Sequence, residues 1–194
     1  LYGTVAVLAA LHQRARTGRG QWIDLGLFDV QLAVLANQAA SYLIGGAVPA
    51  RMGNAHPAIV PYQVFEAADG PLVIACGNDG QFVRLCAELG LAPDPGLATN
   101  AARVTRRVEV AALVGGRLAA LTRAEALAAM DRAGVPAGPI NTVAQAFAEP
   151  QAVARGAVQR AGGSVSPRSP RRFSDAELAR DRAPPCLDEH GAVI

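Results

Sequence analysis

The chain has 194 residues, of which 51% are hydrophobic and 18% charged, and its net charge is +2. That balance excludes intrinsic disorder, which needs low hydrophobicity and high net charge. It also leaves no global field to draw in nucleic acid or an anionic membrane surface, and the length fits one ordinary domain rather than two large ones.

All 18 cations are arginine and alanine is heavily used, a composition that fits GC-rich bacterial coding. The sequence opens on Leu1 with LYGTVAVLAAL, a stretch that reads as a helix entered part-way, so the expectation is a fragment of a longer protein. This helix is predicted to run to about Arg16 and to stop at Thr17-Gly18. Trp22–Leu27 follows, where Ile23, Leu25 and Leu27 alternate as in a strand and Asp24 faces outward. A largely buried helix is then predicted over Asp29–Leu43, with Asp29 as its N-cap. Helix, glycine turn, strand and helix together suggest part of an α/β layer.

Between Gly45 and Pro61 the composition changes to four glycine or asparagine turn formers and three prolines. So long a connection in a compact protein is often functional. A hairpin is predicted next, with strands at Tyr62–Glu66 and Leu72–Cys76 about an Ala68-Asp69-Gly70 turn. Gly77–Gly80 caps an amphipathic helix over Gln81–Leu89. Two further helices span about Arg103–Leu121 and Arg123–Arg132, the second with Thr122 and Glu125 as a capping box. Gly134–Pro139 reads as a rigid connector. Short helices near Val143–Phe147 and after Pro150 precede a small polar stretch, Ala161–Pro170.

The chemistry on offer is selective. His12, His56 and His190 are far apart, and no His or carboxylate cluster has metal-ligand spacing, so no metal site is expected. There is no Gly-x-Ser-x-Gly elbow and no phosphate loop of the Walker type. Cys76, Cys86 and Cys186 lack metal spacing and are odd in number, which fits buried thiols in a reducing cytoplasm. No run reaches the roughly 18 apolar residues of a membrane span, and Leu1–Leu11 lacks the preceding positive charge of a signal sequence. The arginines of residues 168–182 are interleaved with Asp175, Glu177 and Asp181, which suits a solvated surface better than a nucleic-acid patch. The loop Gly53-Asn54-Ala55-His56-Pro57 stands apart, combining backbone freedom, an amide, an imidazole and a proline just before a strand.

In order along the chain, several motifs resemble the class III coenzyme A transferases. They begin with Ala10-Leu11, Thr17-Gly18-Arg19-Gly20-Gln21 and Phe28-Asp29, then the Gly53–Pro57 loop and Val60–Phe65. Asp69-Gly70, Gly77–Phe82 and Gly134–Asn141 follow, and Pro150-Gln151, Arg155-Gly156 and Ala183-Pro184-Pro185 complete the series. The resemblance implies an α/β fold in which part of a Rossmann-like large domain joins a small α+β domain through long linkers. On this reading residues 1–45 are a fragment of the large domain and 46–60 the linker and active-site loop. Residues 61–133 form the small domain, 134–155 the return linker and 156–194 the C-terminal part of the large domain.

The implied activity is transfer of coenzyme A from an acyl-CoA to a small carboxylic acid, with anhydride and thioester intermediates on one aspartate. The GNAHPAIVPYQ stretch looks most like the succinyl-CoA-dependent branch, so a dicarboxylic acid is expected. By the same likeness the catalytic aspartate lies upstream of Leu1, and this chain alone is expected to be inactive, an assembly half. Its own contribution is acyl-substrate contact by Leu27, Gly53, Asn54, His56 and Pro57. The coenzyme A thioester is substrate, with no permanently bound cofactor. The expected assembly is an interlocked homodimer in the cytoplasm, with no nucleic-acid or membrane partner. An α-methylacyl-CoA racemase of the same fold is the alternative. Racemases typically carry glutamate in a Gly-x-Glu-Pro-Gln-Phe pattern, where this chain has Gly77-Asn78-Asp79-Gly80-Gln81-Phe82. The loop departs from relatives that have a glycine run there, and Asp188 stands where the family usually has glycine.

Overall fold

The computed structural model describes residues 1–178 and 183–189. They divide into two compact units, Leu1–Gly53 and the chain from Asn54 onward. In the first unit, helix α1 (Tyr2–Thr17) ends as its glycine requires. Gly18 takes φ +72 and donates its N–H to the Arg14 carbonyl, with Arg14 and Arg16 in the last turn.

The rest of this unit corrects the sequence reading. No strand forms over Trp22–Leu27; the backbone there is irregular, and Leu27 instead opens helix α2 (Leu27–Val34). A strand exists only where a neighbour takes its N–H and C=O groups, and residues 1–53 contain no other strand to do so. Gly26 is the N-cap of α2, and Asp29 lies in the first turn, where a carboxylate still complements the helix dipole. The single helix expected to Leu43 is broken at Ala36, whose φ is +44, so that α3 (Asn37–Leu43) is separate. Neither helix has a buried residue. Their all-round apolar sequence calls for burial that so short a unit does not supply.

The second unit carries the core. Strand β1 (Tyr62–Ala67) pairs antiparallel with β2 (Gly70–Ala75) across a two-residue turn, with Phe65 opposite Leu72. Alternation places Phe65 and Ala67 of β1 and Leu72 and Ile74 of β2 inside. Against this face pack Phe82 and Leu85 of α4 (Asp79–Glu88), and Val110, Val114 and Leu118 of α6 (Arg107–Leu118), which recur every fourth residue. The short helix α5 (Asn100–Thr105) leads into α6 through Arg106. Ala126, Ala129, Met130 and Ala133 of α7 (Arg123–Ala133) complete the cluster.

Local signals place the helix starts. Asn78 Oδ1 accepts the Gln81 N–H at 2.9 Å, so α4 begins two residues before the sequence reading put it. Thr122 and Glu125 form the capping box of α7. Residues Ala137–Pro139, read as connector, are strand β3, which pairs antiparallel with β2 and makes β2 the central strand. Helix α8 (Val143–Ala148) is capped by Thr142 and Gln145, and α9 (Pro150–Ala154) starts on Pro150. A second hairpin, β4 (Val158–Ala161) with β5 (Ser164–Pro167), turns on Gly162 and Gly163, both at positive φ. Asp188 adopts φ +58, the left-handed region that glycine serves most easily and aspartate tolerates.

Candidate functional site

Four of the residues singled out from the sequence, Gly53, Asn54, His56 and Pro57, lie in the loop that precedes β1. Gly53 takes φ +64 with open space where a side chain would stand, so only backbone conformation selects glycine there. Asn54 Oδ1 accepts the Val64 N–H at 3.0 Å, acting as a substitute neighbour along the free edge of β1. The His56 N–H donates to the Tyr62 carbonyl at 2.9 Å, and the two rings stack at 5.2 Å with 12° between their planes. The Ala58 N–H donates to His56 Nδ1 at 3.1 Å. An accepting Nδ1 carries no proton, which assigns the ring hydrogen to Nε2.

From the other side, helices α5 and α6 hold the loop backbone. Asn100 accepts the Val60 N–H at 3.1 Å and donates Nδ2 to the Ala58 carbonyl at 2.8 Å. Arg103 Nε donates to the Val60 carbonyl at 2.8 Å. Arg107 donates to the Pro57 carbonyl at 2.7 Å and, more weakly, to the His56 carbonyl at 3.4 Å. Asn100 and Arg103 are three apart on α5, and Arg107 opens α6 just beyond Arg106. These three side chains were not singled out in the sequence reading. The helix predicted over about Arg103–Leu121 held Arg103 and Arg107 but not Asn100, and nothing local says what these side chains bind.

Arg103 is fully buried, and its charge is met on several sides. Nη1 donates to the Leu97 and Ala98 carbonyls, Nη2 lies 2.7 Å from Asp79 Oδ1, and the guanidinium stands 4.4 Å from the Phe82 ring centre. Asp79, in the first turn of α4, is thus engaged by this arginine. Burial pushes the nearby Cys76 thiol up to about 11, with the Arg103 charge pulling the other way. Burial raises the Cys86 thiol as well.

Of the predicted contact residues, Asn54, His56 and Pro57 are thus tied to one another through β1 and the α5–α6 face. Gly53 is their neighbour in sequence at the end of the first unit, and Leu27 also belongs to that unit, exposed at the start of α2. Asp24 and Asp29 are exposed there too. Among the described residues no group of three His, Cys, Asp or Glu side chains could hold a metal ion, and no helix is long and apolar enough to cross a membrane. His190, Arg180, Asp181 and Arg182 lie outside the described residues.

Residues 1–191 match the model of CoA-transferase family III. A succinate–glutarate CoA-transferase of Agrobacterium fabrum is 46% identical over 202 aligned residues, covering 100% of this chain and 50% of the relative. An acetyl-CoA:oxalate CoA-transferase of Acetobacter aceti is 38% identical, covering 97% of this chain and 49% of its own. Among solved structures, a CAIB/BAIF family protein from Brucella suis aligns with a TM-score of 0.83 at 51% identity, over 99% of this chain and 52% of that one. The chain therefore spans about half the length of the curated relatives it matches.

Proposed function

Because the chain belongs to CoA-transferase family III, we propose that it supplies the acyl-contacting half of an enzyme moving coenzyme A between an acyl-CoA and a carboxylic acid. The observation that carries this reading is the 46% identity along the whole chain to a succinate–glutarate CoA-transferase. A dicarboxylic acid of that size is the proposed acceptor, and succinyl-CoA the proposed donor.

The proposed chemistry passes through an aspartate in the half that this chain does not match. Its carboxylate attacks the thioester carbonyl, forms a mixed anhydride and releases the coenzyme A thiolate. The thiolate then attacks the aspartyl carbonyl, giving an aspartyl thioester and freeing the donor acid. The acceptor carboxylate repeats the two steps in reverse order. Leu27, Gly53, Asn54, His56 and Pro57 are proposed to contact the acyl group while this happens. Asp79, which stands where a racemase would carry its glutamate, is already paired with Arg103, and this favours transfer over racemisation.

The same reading assigns residues 1–45 and 156–194 to a Rossmann-like large domain, 61–133 to a small domain, and 46–60 and 134–155 to linkers of an interlocked homodimer. Exposed apolar side chains on α1 to α3, among them Leu8, Leu11, Leu27, Phe28 and Leu43, support it, because such surface ordinarily lies against a partner. Three free cysteines suit a cytoplasmic enzyme.

The test joins this chain to the unmatched half of the Agrobacterium fabrum relative and supplies succinyl-CoA with isotope-labelled glutarate. Label should enter the thioester fraction, and the chain alone should give none. Label that stays in the free acid overturns the reading. Deuterium entering the acyl α-carbon without acid exchange puts the racemase in its place.

A further inference from the structure

We infer that Arg107 is a positioning residue for acyl recognition: it fixes the peptide groups of His56 and Pro57 so that His56 presents its Nε2–H to a carboxylate oxygen of the bound acid. The inference rests on the reading of residues 53–57 as the acyl-contact loop.

The geometry separates Arg107 from its two neighbours on the α5–α6 face. Arg103 divides its donors among Leu97, Ala98, Val60 and Asp79 and is fully buried, so its loss damages the core. Asn100 closes the loop further on, at Ala58 and Val60. Arg107 is half-buried, and both hydrogen bonds of its side chain go to the carbonyls of residues 56 and 57. It is the one side chain of the three whose bonds all bear on the histidine and its neighbour.

The histidine is already constrained on its remaining sides. Tyr62 covers one ring face and takes the backbone N–H, and Ala58 occupies Nδ1. Of the polar atoms of His56, the Nε2–H is left for a ligand. A donor there suits an anionic oxygen, because it can hydrogen-bond the carboxylate of the bound acid. Residue 107 thus acts on substrate through the backbone of residue 56 and does not touch it.

The experiment uses the joined full-length enzyme with R107A and R107K. In R107A, KM for the acceptor acid should rise about tenfold, the size expected for loss of one charge-assisted hydrogen bond, with kcat within about twofold. R107K, which keeps one donor, should recover most of the rise. Hydrogen exchange across residues 56–60 should speed up in R107A and return towards the parent in R107K, and elsewhere it should not change. Should R107A fail to fold, R107Q carries the same comparison. Unchanged exchange in the loop overturns Arg107 as the positioning residue and leaves the contact reading intact. Faster exchange with unchanged KM overturns the contact reading itself. A fall in kcat alone also overturns the proposal, because it assigns Arg107 to the chemical step.

Discussion

The wholly buried Arg103 places its Nη2 2.7 Å from Oδ1 of Asp79, whose side chain is half exposed. Through this pair the first turn of α4 is joined to α5, and through Nε the same guanidinium reaches the Val60 carbonyl at the end of the loop. One cation therefore links the core, a helix start and the candidate site.

Replacing Arg103 by Met should destabilise the second unit by about 3–5 kcal/mol, since it strands the carbonyls of Val60, Leu97 and Ala98 together with Asp79. D79N should cost only about 1 kcal/mol, because that partner is well solvated and the backbone carbonyls still receive the guanidinium. Urea denaturation followed by circular dichroism separates the two. Equal midpoints for R103M and the parent would contradict the arrangement.

Asn54 holds the loop to the sheet by one bond, from the Val64 N–H. N54A should lose about 1 kcal/mol and expose the Val64 amide to faster exchange, while N54D, which keeps an accepting oxygen, should stay near the parent. An unprotected Val64 amide in the parent would remove the basis for this expectation.

Much of the second unit was legible because its signals are local. The Asn78 cap, the Thr122–Glu125 box and the hairpin about Ala68-Asp69 each depend on residues within a few positions of one another. The candidate site was legible only in its loop. Asn100, Arg103 and Arg107 lie 40 to 51 positions beyond the backbone groups of the loop that they hold, and no periodicity encodes that pairing. Strand β3 was missed for a similar reason: three residues rich in glycine and proline become a strand only because β2 offers them a free edge. The converse error, the absent strand at Trp22–Leu27, comes from alternation without a neighbour. In each case pattern proposes an element and a partner decides it.

The Thr122–Glu125 box should carry a pH signature. The Thr122 N–H and hydroxyl, both bonded to the Glu125 carboxylate, hold its pKa below the ordinary glutamate value. A depressed folded value contributes stability that is present above about pH 4.5 and is lost as pH falls through the folded value. E125Q should therefore lessen the acid sensitivity, and T122A should cost about 1 kcal/mol at neutral pH. Acid titrations of the parent and E125Q that superimpose would argue against the box.

Cys76 gives the opposite sign at the other end of the pH scale. Burial pushes its thiol up from 9.0 to about 11, against the attraction of Arg103. The folded chain holds this proton longer than the unfolded one, so stability is undiminished below pH 9 and falls as pH rises from 9 to 11. Two pH units correspond to about 2–3 kcal/mol at the upper end. C76A removes this loss, so parent and variant stabilities measured by denaturation at pH 8 and pH 10.5 should draw apart in the variant's favour. A disulfide-exchange reagent at pH 8 should meanwhile modify the exposed Cys186 first, Cys86 more slowly and Cys76 only on unfolding, because the thiolate is the reacting species and access limits the rest. Prompt reaction of Cys76 in the folded chain would contradict its burial.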